Sequence, residues 1–195
     1  MRTEWFDTLH GVDNSHPGLR WEFLAERPGC VGFLTVRNRT YRYPDGRQDH
    51  WDILCGPRTV AVVAFTEDGQ GLLARQFRPG PGRVLDELPG GVVEPDETVE
   101  AAAARELLEE TGYRAGSVEV VMKTYLASYA THVRHAVLAR GCRKVAAPGP
   151  DAAEFIEPVV LPRTDYVQHV LTGDLTDADM GLAGLVAAGL LAPVA

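Results

Sequence analysis

The alternation of apolar and polar positions divides the chain into short strand-like runs and a few helical ones. Residues 1–29 keep no regular period, and Gly11, Asn14, Pro17 and Gly18 mark turns there. From Val31 to Tyr43, β-branched and aromatic residues predict a strand. Pro44-Asp45-Gly46 turns the chain, and Asp49 to Leu54 returns antiparallel. Thr59 to Thr66 and Gly71 to Phe77, separated by Glu67-Asp68-Gly69-Gln70, predict a second hairpin with a buried first strand. The loop Pro79-Gly80-Pro81-Gly82 is stiff and excludes helix.

A helix is expected from Thr98 to Thr111. The alanine run 101–104 has high propensity, Asp96 or Thr98 caps the start, and Gly112 ends it in a left-handed conformation. Val118 to Ala127, Val133 to Ala139 and Phe155 to Leu161 predict further strands, and Arg163–Leu171 and Thr176–Leu191 two further helices. Strands interleaved with helices give an α/β domain with a mixed sheet, and no long linker separates a second independent domain.

With 195 residues, 45% apolar and 24% charged, the chain suits one globular domain with its own core, which excludes disorder and fibre. Lysine and arginine number 19 against 27 acidic residues, a net charge of −8 that disfavours nucleic acid as a partner. An anionic ligand would need a local cation. The N-terminus lacks the apolar stretch of a signal peptide. The uncharged segment 180–195 is too short for a membrane span and reads as a buried terminal helix, so a cytoplasmic protein is expected. Cys30, Cys55 and Cys142 show no paired spacing and read as small buried hydrophobes.

Candidate chemistry concentrates between Gly90 and Tyr113. Glu106, Glu109 and Glu110 stand at i, i+3 and i+4, so one helical face carries three carboxylates within about one turn. Such a face is either a solvated acidic surface balanced by Arg105 or a site for a hard divalent cation. The preceding Gly90-Gly91 permits close backbone approach to a ligand and turns a carbonyl toward it, which favours the second reading.

Gly91, five residues, Glu97, seven residues and then Arg105-Glu106-Leu107-Leu108-Glu109-Glu110-Thr111-Gly112-Tyr113 resembles the box of the Nudix hydrolases. Only Tyr113, at a usually aliphatic place, departs from it. Arg75-Gln76-Phe77-Arg78, Glu87-Leu88-Pro89-Gly90-Gly91, Glu154-Phe155-Ile156 and Gly173-Asp174-Leu175-Thr176-Asp177 are similar to the ADP-ribose pyrophosphatase branch. The resemblance implies an α/β/α sandwich over residues 58–195 and a small N-terminal antiparallel β-subdomain, residues 1–57, that joins two copies in a homodimer. It implies hydrolysis of a nucleoside diphosphate derivative, most of all ADP-ribose or another nucleoside-diphosphate sugar, with Mg²⁺ or Mn²⁺ as cofactor. Glu106, Glu109, Glu110 and the Gly90 carbonyl would ligate metal, Glu109 would also aid water activation, and Arg105 would orient the glutamates.

Arg75 and Arg78 would grip phosphate, with Glu87 and Tyr129 also at the substrate. Glu154, with Asp151 in reserve, would serve as general base. The branch's Ser-Pro-Gly turn and its glutamate are replaced here by Ser128-Tyr129-Ala130-Thr131-His132-Val133-Arg134-His135, with His132 at the glutamate's place. His132 and His135 lie three apart on a strand, face opposite sides and read as surface residues rather than a metal pair. That loop leaves open a module that binds a nucleotide without cleaving it, or an enzyme for dinucleoside polyphosphates or non-nucleotide diphosphates.

Overall fold

The computed structural model describes residues 34–149 and 155–192. The hairpin near the N-terminus forms from β1, Thr35–Arg42, and β2, Gln48–Cys55, paired antiparallel from Thr35↔Cys55 to Arg42↔Gln48. A separate sheet follows, built on β3, Arg58–Thr66, and β4, Gly71–Arg78. Two short strands stand where only a loop was expected: β5, Arg83–Glu87, along β4, and β6, Gly90–Val92, along β3. Then come α1, Val99–Thr111, β7, Tyr113–Arg114, β8, Ser117–Tyr125, and β9, Val133–Lys144. The chain closes with β10, Ile156–Leu161, α2, Arg163–Thr172, and α3, Ala178–Ala187.

The predicted second hairpin exists but pairs only at Ala64↔Leu72 and Phe65↔Gly71. Beyond that turn β4 leaves β3 to pair with β5, while its other edge takes β10. Along the rest of β3, one edge receives β6 antiparallel and the other receives β9 parallel, which makes the sheet mixed. The strand β9 outlasts its expected end because Gly141, at φ 63°, absorbs a bulge and lets pairing resume at Thr66↔Cys142.

Alternation along β3 explains the layers. Val60, Val62 and Ala64 pack with Ala102, Ala103 and Leu107 of α1, while Ala61, Val63 and Phe65 pack with Tyr166 and Val170 of α2 and Met180 and Leu185 of α3. The result is the expected α/β/α sandwich. The helix α1 begins where Thr98 Oγ1 accepts from Ala101 N and ends at Gly112, which is left-handed at φ 77°. The last helix is shorter than its apolar run, because residues 188–190 turn out of it through Gly189 at φ 73°. Among the described residues no helix is long and apolar enough to cross a membrane. Cys142 is buried as expected, with its thiol pushed up to about 11 by desolvation; Cys55 is half-buried and Cys30 lies outside the described residues.

Candidate active site

The acidic face of α1 is pressed against the start of β6, which carries Gly90 and Gly91. A side chain at Gly91 would sit 2.6 Å from Glu106 Cδ, so the missing Cβ is what admits that carboxylate. The Gly90 amide donates to Glu110 Oε2 at 3.0 Å, and Glu110 is 3% exposed. A buried carboxylate thus touches the backbone of Gly90, whose carbonyl is the expected fourth ligand.

Arg105 organises the rest. Its Nε and Nη2 donate to both oxygens of Glu97, Nη2 also to the Val92 carbonyl, and Nη1 to Glu106 Oε1 at 2.9 Å and Glu109 Oε2 at 3.0 Å. The guanidinium holds the Glu97 carboxyl below its ordinary range, and those carboxylates hold the guanidinium proton more tightly than usual. Glu97, Glu106 and Glu109 thus share a single guanidinium. Three carboxylates within a helical turn, beside a glycine pair, are hard oxygen donors that fit a divalent cation. Among the described residues no three ligand groups already converge on one point. Arg105 Nη1 engages one oxygen each of Glu106 and Glu109, which leaves the second oxygen of each outside the arginine's bonds.

Gly90 and Gly91 also line a cleft of about 450 Å³, of the size that takes a small ligand. Gly90, Gly91, Arg78, Thr59, His132 and His135 are on its walls. Arg78 reaches it from the end of β4, its Nε 3.6 Å from Glu87 Oε1. Glu87 is fully buried and accepts from the Thr176 amide and hydroxyl, so it anchors Arg78 and the end of the α2–α3 connection rather than facing the cleft. Arg75 lies outside the cleft lining and is held in a two-pronged pair by Asp86, at 2.6 and 2.9 Å. Tyr129, 57% exposed, is on the loop beside the cleft residue Leu126, with its carbonyl accepting from Leu54 N. Glu154 and Asp151 lie outside the described residues.

The divergent loop contributes more than expected. His135 is buried, not a surface residue, and its Nδ1 lies 3.0 Å from the Thr59 carbonyl; His132 Nε2 lies 2.9 Å from Thr59 Oγ1. Burial and then the charge of Arg134 push the His132 pKa down, favouring the neutral ring. Arg134, also on the cleft wall, is bound by Asp177 and Asp179 of the α3 start. Burial works against its charge, but the two carboxylates outweigh that and hold the proton more firmly. Thr59, Arg134 and Asp177 were missed because their roles depend on β3 meeting β9 and on the α3 start folding over the sheet. A polar cluster at 131–135 opening a strand was the one available signal.

Comparison with known proteins agrees with this geometry. A profile of the NUDIX domain matches residues 56–178. The chain is 31% identical over 142 residues to an ADP-ribose pyrophosphatase of Bacillus subtilis (strain 168), covering 72% of this chain and 77% of that one. It is 39% identical over 107 residues to an ADP-sugar pyrophosphatase of Mus musculus, covering 51% and 48%. The crystal structure of an ADP compounds hydrolase superposes with a TM-score of 0.69 at 22% identity, over 85% of this chain and 94% of that chain, a likeness of fold. With the box carboxylates gathered on α1 against the Gly90-Gly91 pair, and the domain match spanning most of the chain, this protein belongs to the Nudix hydrolase family.

Proposed function

We propose that the protein is a Mg²⁺-dependent pyrophosphohydrolase that cleaves ADP-ribose or another nucleoside-diphosphate sugar, with Mn²⁺ able to substitute. The carrying observation is the carboxylate face of α1 seated on the glycine pair that opens β6 at the cleft wall. Relatives named ADP-ribose pyrophosphatase and ADP-sugar pyrophosphatase support the substrate class. Glu106, Glu109, Glu110 and the Gly90 carbonyl hold the cation, which when bound neutralises diphosphate charge and makes water more acidic. That local cation reconciles an anionic substrate with a chain of net charge −8.

The chain's own residues then divide the work. Arg105 orients Glu106 and Glu109 through its bonds to both. Glu109, the most exposed member of the cluster at 44%, is best placed to reach the attacking water. Arg78 grips phosphate from the cleft wall and Glu87 braces it. Arg75 joins phosphate recognition by exchanging Asp86 for substrate, Tyr129 offers a face for the base, and Glu154 is the general base outside the helix. Residues 1–57 form the dimerising arm and 58–195 the catalytic domain, in a cytoplasmic protein that binds neither nucleic acid nor membrane.

Phosphate release in the presence of a coupled phosphatase, across ADP-ribose, sugar nucleotides and dinucleoside polyphosphates, tests this reading. The sugar nucleotides should lead, chelator should abolish release, and Glu109→Gln should lower turnover by about a hundredfold or more. Undiminished turnover in Glu109→Gln would falsify the assignment.

A further inference from the structure

The box carboxylates are steadied from outside the box. Arg58, the first residue of β3, sends Nη2 to two main-chain carbonyls, that of Glu94 at 3.2 Å and that of Glu97 at 3.3 Å. Those residues bracket the turn Glu94-Pro95-Asp96-Glu97, which closes where the Glu97 amide donates to the Glu94 carbonyl at 3.1 Å. The Glu97 side chain folds back over the same turn, and its Oε2 accepts from the Glu94 amide at 3.3 Å. The main chain adds a tie, with the Arg58 carbonyl accepting from the Val93 amide at 3.0 Å. One donor nitrogen thus holds both ends of the turn that presents Glu97.

What Glu97 does from that position bears on what a cation finds. Its two oxygens take Arg105 Nε at 3.1 Å and Nη2 at 3.0 Å, while Nη1 reaches Glu106 and Glu109. The guanidinium is a rigid plane of five N–H donors, so two-pronged capture by Glu97 fixes which edge faces the α1 carboxylates. Among the described residues Glu97 is the one acceptor for Nε, and without it Nη2 keeps only the Val92 carbonyl. A guanidinium so released closes further onto Glu106 and Glu109 and competes for the oxygens that a hard cation requires. Arg58 itself lies off the cleft wall, and its side chain bonds carbonyls alone, so any influence on the cation runs through Glu97 and Arg105.

Resting on the proposed metal-dependent reading, we propose that Arg58 is a positioning residue: by pinning the 94–97 turn it keeps Glu97 on Arg105, and so keeps Arg105 from displacing the cation at Glu106 and Glu109. Arg58→Ala removes both bonds and leaves the β3 main chain in place. Its affinity for Mn²⁺, titrated by electron paramagnetic resonance without nucleotide, should fall about fivefold. Arg58→Met, which keeps an apolar stem and deletes the donors, should fall equally and separates the hydrogen bonds from packing. In the Glu97→Gln background the carboxylate is already gone, so Arg58→Ala should cost less than about twofold more. Unchanged Mn²⁺ affinity in both Arg58 variants, or the full fivefold loss repeated on Glu97→Gln, overturns the proposal.

Phosphate release from ADP-ribose by the unmodified protein tests the reaction class on its own, whatever the Arg58 variants do. Spectra of metal-free protein decide the role of Arg58 even if no Mn²⁺ binds. The Arg105 Nε nitrogen NMR signal should shift in Arg58→Ala and Arg58→Met, and should not respond to Arg58→Ala once Glu97→Gln is present. An Arg105 signal that stays in place in the single variants overturns the proposal.

Discussion

At Gly90 and Gly91 two adjacent hydrogens do different jobs. A methyl at Gly91 meets the tip of Glu106, a flexible side chain that can swing away. A methyl at Gly90 meets the Val60 carbonyl and lies 3.0 Å from Ala61 Cα, which are fixed in the sheet. Gly91→Ala should therefore melt near the wild-type temperature yet lose about tenfold or more in turnover, because a displaced carboxylate no longer fits the cation. Gly90→Ala should cost roughly 2–3 kcal/mol of stability in denaturant titration.

His132 supplies a residue-scale prediction in pH. Its folded pKa lies below the ordinary 6.5, so the folded state favours the neutral ring and the unfolded chain takes the proton more readily. The stabilising contribution is complete above the unfolded value and is lost as pH falls through the lowered folded one. Melting temperatures should drop on acidification below about pH 6.5, and His132→Gln should flatten that part of the profile. An identical slope in the variant would remove His132 as the cause.

At the scale of elements, α3 lies on the sheet through its glycines. A Cβ at Gly184 would stand 2.6 Å from Val63 Cβ in the central strand, so close helix approach depends on the missing side chain. Gly184→Ala gains helix propensity but overpacks the interface, and the net should be a loss of about 1–3 kcal/mol in denaturant titration. The elements also mark what could be read from the chain alone. The helix α1, its Thr98 cap and its Gly112 stop were legible because propensity, capping and spacing agree there. The strands β5 and β6 were not, since each is short, flanked by Gly and Pro, and exists only because β4 and β3 offer an open edge. His135 read as exposed because local alternation carries no information about β3 lying alongside β9. The carboxylates were legible from spacing, whereas the Arg105 network needed the turn of the helix to be seen.

For the whole molecule, the outlying hairpin is the conspicuous feature. Every residue of β1 is exposed, as are Trp51 at 50% and Tyr41 at 45%, and two strands alone are marginal in water. The ribbon is tied to the body at Leu54, which accepts from Thr131 N and donates to the Tyr129 carbonyl. A second copy covering those aromatics would relieve the exposure, so light scattering at micromolar concentration should return twice the 21.2 kDa chain mass. Trp51→Ser should shift that mass toward the single chain. A wild-type protein of single-chain mass would exclude the arm as a dimer contact.

The parallel seam between β3 and β9 also has a meaning in time. Thr59 and His135, bonded to each other, are 76 positions apart in the chain. Closing so large a loop carries an entropic toll before any reward, so this seam should zip late, well after the acidic helix has wound itself locally. During synthesis the helix can emerge and coil early, but the pocket cannot exist until β9 has left the ribosome.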